Sequence, residues 1–145
     1  MKASLVWFSD GLMTGWTVFE LNFQRVMFAY IFPIVCGAAV GAVLRWLCGL
    51  VLVSSAPFSI GTLAANWLGA LLIGVLAELL TDPQWRLLWI TGFLGSLTTF
   101  SGFSVEMVGL MQAQRWGMAL MATCLHVFGS FGLTALGIKL AQIWK

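Results

Sequence analysis

The stretch WLCGLVLVSSAPFSIGTLAANWLGALLIGVLA, Trp46–Ala77, runs for 32 residues without one Asp, Glu, Lys or Arg. A helix needs roughly 20 mostly apolar residues to cross a bilayer. The stretch is therefore too long for one span. It breaks at Ser54-Ser55-Ala56-Pro57, where small polar residues meet a proline, a turn signal. The part before this turn completes one membrane helix, and the part after it makes a second.

The same reading extends outward. Val26–Leu44 gives 19 charge-free residues, Leu87–Val105 another 19, and Trp116–Ile138 gives 23 with His126 counted as neutral. Four helices are predicted, at about 28–53, 60–80, 86–111 and 117–141. The turns between them are 54–59, Thr81-Asp82-Pro83 and Gln112–Trp116. All are short, so neighbouring helices run antiparallel. The fold class is an all-α membrane protein.

Composition agrees. Of 145 residues, 61% are hydrophobic and 8% charged, and the mean hydropathy is +0.99. A soluble domain averages about 45–50% apolar and about 25% charged residues. Twelve charged side chains cannot cover a soluble surface of this size. Soluble enzymes, nucleic-acid binders and disordered chains are excluded on this ground. The net charge of +2 is too small to imply an acidic partner. Cys36, Cys48 and Cys124 form no CxxC pair and read as small core residues.

Residues 1–26 stand apart from the four-helix domain, 27–145. They carry Lys2, Asp10 and Glu20 among Trp and Phe, without the ordered regions of a signal peptide. A surface-lying helix, an unstructured arm, or a translation start at Met27 all fit. Leaving this segment out, Arg86, Lys139 and Lys145 fall on one side of the membrane, and Arg45 and Arg115 on the other. Such a weak bias permits insertion both ways and an antiparallel homodimer. Adding Lys2 and Arg25 makes it five against two and favours a single orientation. Four helices enclose little, so a solute pathway calls for a second subunit. Gly37 with Gly41, and Ala65 with Gly69, allow close helix approach.

Polar residues inside a span usually have a partner or a job. Asn66 in the second helix is interhelical glue or a pathway residue. The third helix carries Gly92-Phe-Leu-Gly-Ser-Leu-Thr-Thr-Phe-Ser-Gly-Phe-Ser-Val-Glu106. Its glycines, each costing roughly 1 kcal/mol relative to Ala, favour a local break. Carbonyls freed at 95–99 are candidate ligands for a hard cation such as Na⁺; alternatively the helix is kinked and its hydroxyls satisfy them. Phe100 and Phe103 project from one face, and aromatic edges carry partial positive charge. Two such edges can hold a small anion, or simply pack. Ser101 and Ser104 are adjacent hydroxyl donors. His126, Ser130 and Thr134 recur every four residues, so they form one polar stripe. It lines a wet groove or makes a hydrogen-bonded seam. No row of acidic residues lines the spans, which argues against a cation channel of the acidic-ring kind.

These residues resemble the Fluc fluoride channels, also called CrcB proteins. The resemblance rests on Gly37-Ala-Ala-Val-Gly-Ala-Val-Leu-Arg45-Trp46, on Gly61-Thr62 with Asn66 and Gly69, and on Gly92-Phe-Leu-Gly95 leading into Thr98-Thr-Phe-Ser-Gly-Phe-Ser-Val-Glu106. It runs over roughly 30–141; residues 1–26 have no counterpart in it. It implies a dual-topology antiparallel homodimer of four-helix subunits with a break in the third helix, two fluoride pores, and passive fluoride efflux across a bacterial inner membrane. In that pattern Phe100 and Phe103 look like the pore phenylalanines and Asn66 like the pore asparagine. Ser130 and Thr134 fall on the hydroxyl track, with His126 one step further out. Glu106 falls at a pore mouth and Arg45 near the vestibule. Gly95 and Thr98 match residues whose carbonyls hold a structural Na⁺. Gly102 departs from the pattern, standing where relatives carry Thr or Ser, and Ser96 stands where Gly is common. The expected partners are fluoride, the lipid bilayer and a second copy of the chain, with no nucleic acid.

Two other classes are weighed. A small multidrug exporter needs a membrane-embedded carboxylate, and Glu78 and Glu106 sit near span ends. An intramembrane hydrolase would want a GxSxG motif, which is missing.

Overall fold

Ser59, Asp82 and Thr99 each open a helical segment by offering a side-chain oxygen to backbone N–H groups that the first turn leaves unpaired. Ser59 accepts from Thr62 N–H at 3.1 Å. Asp82 accepts from Gln84 N–H at 2.8 Å and Trp85 N–H at 3.2 Å, with Pro83 in the first helical position. Thr99 accepts from Gly102 N–H at 3.0 Å.

These caps divide the chain in a computed structural model that describes residues 6–8, 11–13, 23–53 and 56–145. Four helices are long and apolar enough to cross a membrane: α1 (Phe23–Val51), α2 (Ile60–Leu79), α3 (Pro83–Gln112) and α4 (Trp116–Ile143). The protein is a multi-pass membrane protein. The boundaries lie close to those expected, except that α1 begins five residues earlier and α3 three residues earlier. Both early starts carry a wider π-helical stretch just inside the helix, Met27–Ile31 in α1 and Leu87–Leu94 in α3.

One local departure from the all-α expectation lies near the N-terminus. Val6–Phe8 and Gly11–Met13, here β1 and β2, pair antiparallel, with Trp7 opposite Leu12. Val, Trp and Phe favour strands, and Ser9-Asp10-Gly11 is turn-forming sequence. The surface helix or unstructured arm expected for 1–26 does not describe these six residues. The rest of that expectation, up to Asn22, lies outside the described residues.

Two seams organise the bundle. In the first, α2 packs along α4. Gly74 and Gly137 face each other there, and a Cβ on either would collide with a backbone carbonyl of the opposite helix, Thr134 or Leu71. Trp67 donates from Nε1 to the Leu125 carbonyl at 3.0 Å across the same seam. In the second, α1 packs on the first part of α3. Gly37 and Gly41 press against the backbone of α3 at Leu88 and Phe93. Ser96 Oγ reaches back to α1, 2.9 Å from the Ala38 carbonyl, and is equally close to Gly92 O of its own helix. The small residues of α1 are therefore spent within the chain.

Buried side chains form two clusters. Phe58, Leu63, Phe103, Met107, Leu110, Ala119 and Ala122 join α2, the end of α3 and α4. Ala65, Leu94 and Leu97 lie beneath α1. Much of the remaining apolar surface faces outward, including Val35, Val40, Val43 and Trp46 of α1. Lipid tails solvate such a surface as well as a protein core does. At one end of the bundle Lys145 pairs with Glu78 at 3.3 Å, and Arg86 donates to the Leu80 carbonyl at 3.0 Å.

Candidate functional site

The site is organised by the backbone at Thr98 and Thr99. After the helical segment Gly95–Leu97, Thr98 (ψ 152°) and Thr99 (φ −147°, ψ 115°) are extended, and a new segment, Phe100–Gln112, starts from the Thr99 cap. An extended pair in mid-membrane leaves backbone groups that need partners. Asn66 of α2 supplies them. Its Oδ1 accepts from Thr99 N–H at 2.7 Å, and its Nδ2 donates to the Thr99 carbonyl at 3.1 Å. The same Nδ2 lies 3.2 Å from His126 Nδ1 on α4.

Around this knot runs a groove of about 410 Å³. Asn66, Gly95, Thr98, Phe100, Phe103, His126, Ser130 and Thr134, all singled out from the sequence, line it together. They come from α2, α3 and α4. The Phe100 and Phe103 rings have centroids 5.5 Å apart, tilted by 51°. Phe103 is buried and its ring also meets the His126 imidazole, at 4.7 Å. Phe100 is 78% exposed and hangs from the rim. Thr134 spends its hydroxyl proton on the Ala70 carbonyl at 3.0 Å.

The other candidates lie elsewhere. Ser101 is outside the groove of this chain, its Oγ 3.2 Å from Thr99 Oγ1. Ser104 is outside it too, donating to the Phe100 carbonyl of its own helix at 2.9 Å. Glu106 accepts from Thr62 Oγ1 at 2.7 Å and from Ser59 N–H at 3.2 Å. It lines a second groove, of about 560 Å³, whose wall also includes Ser59, Gly109 and Arg115. Arg45 is half-buried, and its Nε has no hydrogen-bond partner among the described residues.

With this geometry in view, the comparisons with known proteins are decisive. Residues 32–138 match the family model described as CrcB-like protein, Camphor Resistance (CrcB). The chain belongs to the CrcB family. Its relatives include a protein named fluoride-specific ion channel FluC from Neisseria meningitidis serogroup B. That relative is 54% identical over 119 residues, covering 82% of this chain and all of the relative. A protein of the same name from Chromohalobacter salexigens is 55% identical over 108 residues, covering 70% of this chain and 82% of the relative. Another from Burkholderia vietnamiensis is 48% identical over 124 residues, covering 81% and 97%.

Two residues of this CrcB-family chain organise the site in roles the sequence reading did not give them, Thr62 being quoted there only for the family resemblance and Thr99 only for that and within the 95–99 stretch. Thr62 stands one helical turn before Asn66 and holds Glu106; the four-residue spacing is the signal that could have found it. Thr99 is the hub for Asn66, and its place three residues before Gly102 is an N-cap pattern. Gly102 itself is tight: a Cβ there would lie 3.1 Å from Thr99 Cγ2. No cluster of His, Cys, Asp or Glu able to hold a metal occurs among the described residues.

Proposed function

We propose that this chain is the subunit of a fluoride-selective channel that lets cytoplasmic fluoride leave passively across a bacterial inner membrane and so confers fluoride resistance. It is not an enzyme. The observation that carries the reading is the single groove lined by Phe100, Phe103, Asn66 and the His126–Ser130–Thr134 stripe, in a chain 54% identical to a protein named as a fluoride channel.

The chemistry is consistent. Fluoride is small and holds its water tightly. A pore must replace that water with close donors, and substituted hydrogen bonds must match those lost. Ring edges at Phe100 and Phe103 add weak positive potential without a formal cation that would trap the anion. A narrow apolar wall rejects larger chloride by size. Glu106, held by Thr62 and Ser59 in the wall of the second groove, and Arg45 belong to the mouths in this reading.

Two further points belong to the same proposal. The working unit is an antiparallel homodimer inserted both ways. An open groove with Phe100 78% exposed supports this, because a second copy would close it. The α3 break carries a structural Na⁺, held by carbonyls of Gly95 and Thr98. Thr99 N–H, the usual helical donor to Gly95 O, goes to Asn66 instead, and a carbonyl set suits a hard cation. When bound there, Na⁺ would supply fixed positive charge that ties the break together.

A multidrug exporter is not favoured. Glu78 is paired with Lys145 at the bundle end, and Glu106 is engaged by Thr62 and Ser59.

The test is fluoride release from liposomes carrying the purified protein, read by a fluoride electrode with a chloride control. Release of fluoride without chloride is expected, and its loss in a Phe100→Ile/Phe103→Ile variant that remains dimeric. No release from well-folded protein would overturn the reading.

A further inference from the structure

Hydrophobicity does not tell α4 which way to turn. Its apolar residues are spread around all sides of the helix, and lipid gives a buried leucine no advantage over an exposed one. The rotation of α4 about its own axis must come from specific contacts. That rotation decides whether its polar stripe faces the groove or the lipid.

One side chain of α2 is placed to set it. Trp67 directly follows Asn66 and packs against the buried cluster that holds Phe103 and Met107. Its Nε1 donates to the Leu125 carbonyl of α4 at 3.0 Å. The same edge of the indole fills the space that Gly129 leaves empty. A Cβ at Gly129 would lie 2.6 Å from Trp67 Nε1, 2.7 Å from Cε2 and 2.8 Å from Cζ2. Ordinary carbon contacts sit at about 3.5–4.0 Å. Any larger residue at 129 would therefore displace the ring by about an ångström. The indole thus engages α4 at two points one helical turn apart.

Those two points immediately precede His126 and Ser130. Neighbouring residues on a helix are turned by about 100° from each other. The line engaged by Trp67 and the line facing the groove therefore keep a fixed angle on α4. The same step separates Trp67 from Asn66 on α2. The Asn66 Nδ2 contact with His126 Nδ1 is already 3.2 Å long, so a shift of about an ångström ends it.

We infer that Trp67, seated in the notch at Gly129, is a positioning residue for ion passage that fixes the rotation of α4 and with it the width of the groove. The inference rests on the channel reading above. It gives a role to a side chain that does not itself line the groove. Gly74 with Gly137, and Thr134 with Ala70, fasten the same two helices further along. The helices therefore stay together when the notch is altered, and their relative rotation changes.

The test is the unitary fluoride current of the purified protein in planar bilayers, with the thermal midpoint in detergent measured beside it. A merely structural role would change the midpoint or the number of active channels and leave the current through each one unaltered. Gly129→Ala puts a methyl against the indole and should lower the unitary current at least about threefold through overpacking. Trp67→Leu removes the atoms that this methyl meets, so Gly129→Ala/Trp67→Leu should conduct better per channel than Gly129→Ala, a coupling between neighbours. Trp67→Phe keeps a ring in the seam without an N–H for Leu125, and should lower the unitary current about twofold or more, as the loss of one hydrogen bond would. It also decides the matter if Gly129→Ala fails to fold. Unaltered unitary current in Trp67→Phe or in folded Gly129→Ala, whatever the midpoint, would overturn the inference. So would a double variant that conducts no better than Gly129→Ala. In either case the channel reading stands, whereas absence of fluoride current from the folded, unsubstituted protein rejects both.

Discussion

At Asn66, one side chain does the work of two missing backbone bonds. Its amide reads the extended Thr99 from both sides, at 2.7 and 3.1 Å, and its remaining proton reaches His126. Asn66→Asp is isosteric but has no N–H to give. The Thr99 carbonyl and His126 Nδ1 would each face an oxygen, and a negative wall would repel the anion. Leaving a buried polar group unpaired costs about 1–3 kcal/mol. Fluoride flux of Asn66→Asp is therefore expected to fall at least about tenfold, measured with the electrode assay on protein matched for dimer content. Retained flux would remove Asn66 from the pathway. Polarity and spacing singled out Asn66, Phe100, Phe103 and His126 with a pathway role and a packing role both open, and only the family resemblance chose between them. The division of labour among them was not legible, because it depends on which proton meets which acceptor across three helices.

At the scale of elements, the α2–α4 seam and the α3 break depend on different physics. The seam is van der Waals contact at Gly74 and Gly137, where lipid gives no hydrophobic advantage to burial and close packing must hold helices together. Gly137→Leu would force the Leu71 and Val75 backbone away. Overpacking typically costs about 1–3 kcal/mol, and the same shift would move Thr134 off Ala70. A markedly lower thermal midpoint in detergent, followed by intrinsic tryptophan fluorescence, is the expected result; an unchanged midpoint would show that the seam has slack. The spans themselves followed from charge-free windows, and their ends from the turns at 54–59, Thr81-Asp82-Pro83 and Gln112–Trp116; the caps at Ser59, Asp82 and Thr99 came with the structure. The π-helical stretches at Met27–Ile31 and Leu87–Leu94 were not legible, since they shift the ladder by one residue without changing composition.

For the whole molecule, the balance of charges bears on topology. Arg86 and Lys145 sit at one end of the bundle, where they satisfy α2 carbonyls and Glu78. Positive charges used in this way still count toward orientation: three against two without residues 1–26, and five against two with Lys2 and Arg25. For the proposed antiparallel dimer, Gln112→Cys in a cysteine-free background tests insertion directly, because Gln112 is exposed at the α3 end. About half the molecules should label on intact cells with a membrane-impermeant maleimide, and the other half only after permeabilisation. Labelling of all or none of the molecules on intact cells would mean a single orientation and would remove the antiparallel dimer.

The four spans, their antiparallel order and the roster of polar residues placed in the membrane are written in the order of amino acids alone. Hydropathy, turn signals and four-residue spacing are local properties, and a bilayer leaves a chain this apolar few other ways to satisfy its backbone. Which of those residues share a groove, that Gly37 and Gly41 pack inside the chain, and that Asn66 spends its amide on Thr99 and His126 emerge only once the helices are packed. Those outcomes come from crossing geometry between helices far apart in sequence, where a displacement of an ångström separates a hydrogen bond from an orphaned donor.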